Sequence, residues 1–203
     1  MIETERLILR QWREADRPAW LSMMADPDVG YWLGGLRTAE EESAAFDRGQ
    51  RMIEADGFGM WAAERKADGR VVGSIGVRRM PPDWNHPFSG EVELGWRLAR
   101  DAWGGGYASE GAAASLAWGL ANLDVTRIVA FTATTNARSE AVMRRIGMTR
   151  RADLDFDHPA LAADHQLRRH IVYVASPHPY GEGGRRAAGE RVEGYPAASR
   201  RRR

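Results

Sequence analysis

The chain has 203 residues, 43% of them hydrophobic, enough for one globular domain with a real core. Its 29 basic residues nearly cancel its 28 acidic ones, and the net charge of +1 gives no electrostatic case for nucleic acid as a main partner. The absence of cysteine excludes disulfides, thiolate metal sites and a covalent acyl-cysteine, and no apolar run approaches the roughly 20 residues that span a bilayer.

Glu3, Thr4 and Glu5 lack the basic, apolar start of a signal peptide, so the chain reads as soluble and cytoplasmic. Residues 6–10 form a short apolar run flanked by charge and predict a first strand. A helix follows, with Asp16 as candidate N-cap and Pro18 in its first turn, and Asp26-Pro27-Asp28 ends it. Residues 31–35 read as an aromatic loop. Thr38 then opens a second helix through a capping box with Glu41, whose buried side would be Ala44, Ala45, Met52 and Ile53. Two helices placed before the main sheet suggest a wall over a cleft.

Residues 58–64, 71–79 and 91–98 predict an antiparallel meander. The first turn contains Asp68-Gly69, where both central positions can take positive φ. After a glycine turn, Ala112, Ala113, Leu116, Ala117 and Leu120 recur at helical spacing. Residues 126–132 predict a β-branched strand, and Asn136 to Ser139 start a helix carrying Val142, Met143 and Ile146, with Gly147 at its left-handed end. Residues 168–174 are a last strand. From Ser176 onward Pro, Gly, Arg and Glu dominate and periodicity vanishes, so residues 176–203 read as a disordered tail ending in four arginines.

Trp103-Gly104-Gly105-Gly106-Tyr107-Ala108-Ser109-Glu110 lies between the strand at 91–98 and a helix. A strand, a glycine turn and a helix N-terminus form a phosphate cradle, because glycines allow close approach and the first-turn N–H groups are unpaired. No Lys-Ser/Thr follows, which excludes a P-loop, and the turn follows a meander, which excludes a dinucleotide-binding βαβ unit.

With the segments at residues 3–10, 93–98 and 135–148, this stretch resembles the GCN5-related N-acetyltransferase (GNAT) family, in particular its ribosomal-protein N-terminal acetyltransferase-like branch. The likeness covers residues 1–175. It implies an α+β fold with a mixed central sheet splayed where acetyl-CoA wedges in. Leu98, Ala99 and Arg100 would meet the pantetheine arm through backbone groups, and Gly104, Gly105, Gly106, Tyr107 and Ala108 would hold the pyrophosphate. Asn136 matches an asparagine that reaches the cofactor, and Ser139 a serine proposed to protonate the departing thiolate. One departure is Asp101, where the family's turn carries Gln or Arg; Arg100 beside it can lend the charge.

The resemblance implies an amine attacking a thioester, with a protein N-terminus or a small molecule as acceptor and a homodimer left open. An α-amine has a pKa of about 7.7–8.0 and a lysine-type amine about 10.4, so only the second needs much help to become neutral. Glu93, on the strand nearest the cofactor, is the candidate base through a water, with Glu91 in reserve. A merely charged residue on the strand's outer face is the competing reading. An N–H near Leu98 would meet the oxyanion. His158, His165 and His170 lack zinc-site spacing, so no metal is expected, but His158 or His165 can contact the acceptor. Trp32, Phe58 and Trp84 are candidate walls of the acceptor cleft. A non-catalytic CoA-binding domain on the same scaffold is the alternative function.

Overall fold

The computed structural model describes residues 1–83 and 85–177, so Trp84 and nearly all of the expected tail lie outside the described residues. The strands are β1 (Ile2–Glu3), β2 (Leu7–Arg10), β3 (Met60–Arg65), β4 (Val71–Arg79), β5 (Val92–Leu98), β6 (Ile128–Ala133), β7 (Thr149–Arg150), β8 (Phe156–Asp157) and β9 (Arg169–Ala175). The helices are α1 (Arg17–Met24), α2 (Pro27–Tyr31), α3 (Ala39–Asp56), α4 (Tyr107–Asn122) and α5 (Ala137–Arg145). The strands form one mixed sheet in the order β1-β2-β3-β4-β5-β6-β9-β7, with β8 paired to β9.

One pairing matters most for the site. β5 and β6 run parallel and touch at only two registers, Val92 with Ile128 and Glu93 with Val129. β4 nevertheless follows β5 to Leu98, and β9 follows β6 to Ala133. The sheet therefore opens like a V between residues 94–98 and 130–133.

Local chemistry explains most element boundaries. Thr38 accepts the Glu41 N–H at 3.2 Å while Glu41 accepts the Thr38 N–H at 2.9 Å, the capping box anticipated for α3, and Gly57 ends that helix at φ +77°. Asp26 ends α1 but also caps α2, accepting the Asp28 N–H at 2.8 Å with Pro27 in the first turn. Tyr31 is consequently helical rather than loop. Asp16 does not cap α1. Its carboxylate takes Arg10 Nη1 and Nη2 at 2.7 and 3.0 Å and the Arg13 N–H at 2.7 Å. Both Arg10 and Asp16 are buried, and a buried guanidinium left without an anion costs more than a missing cap. In the β3–β4 turn only Gly69 takes positive φ, and a bulge between Ala63 and Glu64 adjusts the register.

Both faces of the sheet are covered. On one, α1 and α3 enclose Trp12, Trp20 and Phe46, with Trp12 5.4 Å from each of the other two rings. Phe46, Ile53 and Glu42 point inward from α3, whereas Ala44 is exposed; the large ring, not the small residues, sets the buried side. On the other face α4 buries Gly111, Ala112, Ser115, Leu116 and Gly119, while Ala113 and Ala117 are exposed. The buried stripe is rotated from the expected one because glycine and serine let the helix backbone approach the strands. A Cβ on Gly111 would lie 2.6 Å from Ile75 Cδ1, and one on Gly119 2.8 Å from Ile128 Cδ1. Gly111→Val should therefore cost about 1–3 kcal/mol in urea unfolding, against less than about 1 kcal/mol for exposed Ala117→Val.

Candidate active site

The N-terminus of α4 faces the wide end of the V. Gly104 and Gly106 adopt φ +77° and +82°, a left-handed conformation that only glycine takes without strain. Gly106 caps α4 with no side-chain bond, so the N–H groups of the first turn are left to a ligand or to water. From there a cleft of about 1370 Å³ runs along the split, bordered by Leu98, Arg100, Gly104, Gly106, Tyr107, Ala108, Asn136, Ser139 and Glu93.

Two residues assigned to the cofactor by resemblance do not border it. The Ala99 N–H is given to the Val72 carbonyl and its carbonyl accepts the Ala102 N–H, each at 2.9 Å. Gly105 offers its carbonyl to Arg6 Nη1 at 2.9 Å. Backbone groups alternate along a strand, so those of Trp96 and Leu98 point away from β4 into the gap. The Leu98 carbonyl is occupied by Trp103 Nε1 at 2.9 Å. Trp96 was missed in the sequence, although the same alternation would have pointed to it.

Glu110 and Arg6 were also missed. Glu110 accepts the Thr4 hydroxyl at 2.6 Å and the Arg6 N–H and Nε at 2.7 Å each. Burial pushes this carboxyl up, and the three donors together bring it below its usual value. The Arg6 guanidinium also lies 4.8 Å over the Tyr107 ring. The segment before β2 is thereby fastened to the first turn of the cradle helix.

At the outer edge, Trp103 lies between the guanidinium groups of Arg100 at 5.0 Å and Arg138 at 5.2 Å. Arg100 Nε also bonds Asp28 at 2.8 Å. Asp101, the departure from the family motif, bonds Arg70 at 2.5 Å and stays out of the cleft. Asn136 caps α5 by accepting the Ser139 N–H on Oδ1 at 3.2 Å, which leaves Nδ2 available. Among the described residues the Ser139 hydroxyl bonds no backbone group, and the α5 cap is supplied by Asn136.

The narrow end of the V is a walled pocket. Its walls are the loop after α2, with Trp32, Leu33, Leu36 and Arg37, and the β8–β9 connection, with His158, Leu161 and His170. The wall expected from the two early helices is supplied instead by α2 and the loop after it, and no residue of α1 or α3 borders the cleft. Glu93 is buried, and its Oε2 accepts Arg78 Nε at 2.8 Å and lies 2.7 Å from Nη2. Glu91 is held by Arg127 at 2.6 and 2.7 Å and does not border the cleft. Phe58 is core, packed 5.9 Å from Trp118.

His158 and His170 meet at 5.0 Å, and His86 joins them 5.6 Å from His158, whereas His165 stays in its loop accepting the Leu167 N–H. Burial, reinforced by neighbouring charge, holds His86 and His158 down to about 4, and burial lowers His170 as well. All three are neutral imidazoles at pH 7. No group of three or more His, Asp or Glu among the described residues is arranged to hold a metal.

A sheet split beside a glycine-turn helix, with unpaired first-turn N–H groups at one end and a walled pocket at the other, offers room and donors for a long, anionic ligand. The acetyltransferase (GNAT) domain profile matches residues 6–149, and the chain belongs to that family. It is 30% identical over 146 residues to the uncharacterized protein YkkB of Bacillus subtilis, covering 71% of this chain and 83% of that one. An acetyltransferase structure from Agrobacterium tumefaciens superposes with a TM-score of 0.68 at 29% identity, covering 86% of this chain and 92% of that one. RimL, a ribosomal-protein acetyltransferase solved with coenzyme A, shares the fold at 17% identity and a TM-score of 0.67, covering 85% of this chain and 95% of that one. No helix among the described residues is long and apolar enough to cross a membrane.

Proposed function

We propose that this chain is an acetyl-CoA-dependent N-acetyltransferase that transfers the acetyl group directly to a primary amine in a ternary complex. The observation that carries the reading is the parting of β5 from β6 at Glu93, with the Gly104–Gly106 turn at the far end of the same opening. The donor supplies an activated thioester. First-turn N–H groups of α4 receive its pyrophosphate, and backbone groups of Trp96 and Leu98 receive its extended arm as another strand would.

Glu93 stands where the split begins and takes the amine proton through a water, so that the neutral nitrogen forms the new C–N bond. The oxyanion is met by backbone N–H groups of β5 facing the gap. As the C–S bond breaks, the Ser139 hydroxyl gives its proton to the departing sulfur and regains one from solvent. With no cysteine in the chain, direct transfer is the economical route. The RimL-like resemblance makes a protein N-terminus or a small-molecule amine the acceptor.

Ser139→Ala should lower kcat roughly 10- to 100-fold while leaving the CoA dissociation constant within about twofold. Stopped turnover with unchanged CoA binding supports the acid role; unchanged kcat excludes it. Purified protein that binds CoA but acetylates no amine in a broad panel would favour the non-catalytic reading.

A further inference from the structure

Among the described residues on the α1 side of the cleft, one arginine has no carboxylate within ion-pairing distance. Glu93, Gly95 and Arg97 share one face of β5, the face covered by α1 and α3, and the Met60 side chain packs on Gly95 between the two charged residues, its Cε 3.2 Å from where a Cβ would be. The other arginines of this wall each have a carboxylate: Arg37 Nε bonds Glu42 at 2.6 Å and Arg78 Nε bonds Glu93 at 2.8 Å. Arg97 has no such partner. Nη1 reaches only the Met24 sulfur at 3.7 Å, the guanidinium sits 5.6 Å from the Trp20 ring, and Nε is buried without a hydrogen bond. Two carboxylates act on it at longer range: Glu42, whose Oε1 is taken by Arg37 and whose Oε2 is buried without a hydrogen bond, and Glu93, which is paired with Arg78.

We propose that Arg97 is the docking group for a carboxylate carried by the amine acceptor itself, so that the cleft selects amino-acid-like amines over polycationic ones. This rests on the N-acetyltransferase reading above and names its substrate class. Burial lowers the Arg97 guanidinium to about 10, which leaves it charged at neutral pH. His158 and His170 across the cleft are neutral there and add no competing charge. A cation desolvated without an anion is costly, and a carboxylate ligand removes that cost where a second cation adds to it. Arg97 lies four residues from Glu93 on the same face of β5, roughly 13 Å along the strand, and the two long side chains come close enough to interact electrostatically, so one amino acid can set its amine toward Glu93 and its carboxylate toward Arg97. Trp32, Leu33 and Leu36 on the facing wall offer apolar contact for its side chain.

The test uses the full chain, acetyl-CoA and three acceptors of matched shape: leucine, leucinamide and isoamylamine, with spermidine as the polycation. Leucine should exceed leucinamide and isoamylamine by roughly 10- to 100-fold in kcat/KM, the range expected for a charge-assisted contact, and spermidine should be the poorest. Arg97→Met should collapse the leucine-to-leucinamide ratio toward one, and Arg97→Lys should retain part of it. A loss of packing alone would not move that ratio. If Arg97→Met fails to fold, the wild-type ratio still decides. Equal rates on leucine and leucinamide, or a preference that survives Arg97→Met, would overturn the assignment while leaving the enzyme reading intact. No turnover on any of the four, with CoA still bound, would overturn the assignment, and no turnover on an N-terminal peptide as well would overturn the enzyme reading.

Discussion

Gly106→Trp should weaken CoA binding by about 100-fold or more, measured by calorimetry, while the protein remains folded. Gly106 sits at φ +82° as the N-cap of α4, and an added Cβ would lie 3.2 Å from Arg6 Nη2. A residue other than glycine there carries about 1–2 kcal/mol of backbone strain, which a stable domain tolerates. The larger loss is at the anion. An indole at the mouth of the cradle separates the phosphates from at least two N–H groups, and hydrogen bonds to charged groups contribute about 1.5–3 kcal/mol each. Unchanged CoA affinity in a folded variant would place the pyrophosphate elsewhere. Gly105→Ala is a useful contrast. Gly105 does not border the cleft and its φ is not positive, so the effect on CoA should stay below tenfold.

Glu93→Gln should lower kcat/KM by about 10²- to 10⁴-fold, the range for loss of a positioned base. Glutamine keeps an oxygen for Arg78, so a thermal melt should shift far less than the activity. The acceptor decides whether the loss is chemical. An amine with a pKa of about 7.7–8.0 is partly neutral at pH 7.5, whereas one near 10.4 is almost wholly protonated. The variant should therefore lose more on a lysine-type amine than on an α-amine, and raising the pH should restore part of the rate by deprotonating the amine in solution. Equal activity of Glu93→Gln and wild type on both amines would rule out the base role. Glu91→Gln, whose carboxylate serves Arg127 outside the cleft, should change turnover little.

Several features were legible in the residues alone because their cause is local. Thr38 and Glu41 satisfy each other within one helical turn, Gly147 takes the left-handed end of its helix at φ +81°, and β4 occupies the predicted range of residues 71–79. The antiparallel meander follows from alternation and short turns, and the glycine turn between strand and helix marks a candidate anion site once its flanking strand and helix are read with it. The resemblance then supplied the GNAT fold, the family to which the chain belongs.

Where distant groups compete for one side chain, local rules failed. Asp16 is a sound N-cap by sequence, yet buried Arg10 claims it. Ala113 and Ala117 fit the apolar period of α4, but Gly111, Ser115 and Glycine 119 lie inside because backbone proximity to β4 and β6 selects the smallest residues. Asp68 shares a turn with Gly69 but keeps negative φ, since its carboxylate binds Arg65 and the Arg70 N–H.

The site divides along the same line. By itself the sequence marked a candidate anion end, because a glycine turn, an uncapped helix start and the strand before them lie in one continuous stretch, residues 94–108, although it named Ala99 and Gly105 and missed Trp96. Only the tertiary structure decided what surrounds the far end of the cleft. It buries Glu93 on Arg78, sets Glu91 aside, gathers His86, His158 and His170 from three segments, and, among the described residues, leaves Arg97 beneath α1 with no carboxylate in ion-pairing distance. A charge is partnered or unpartnered according to what folds against it, and its neighbours here come from residues 24 to 170.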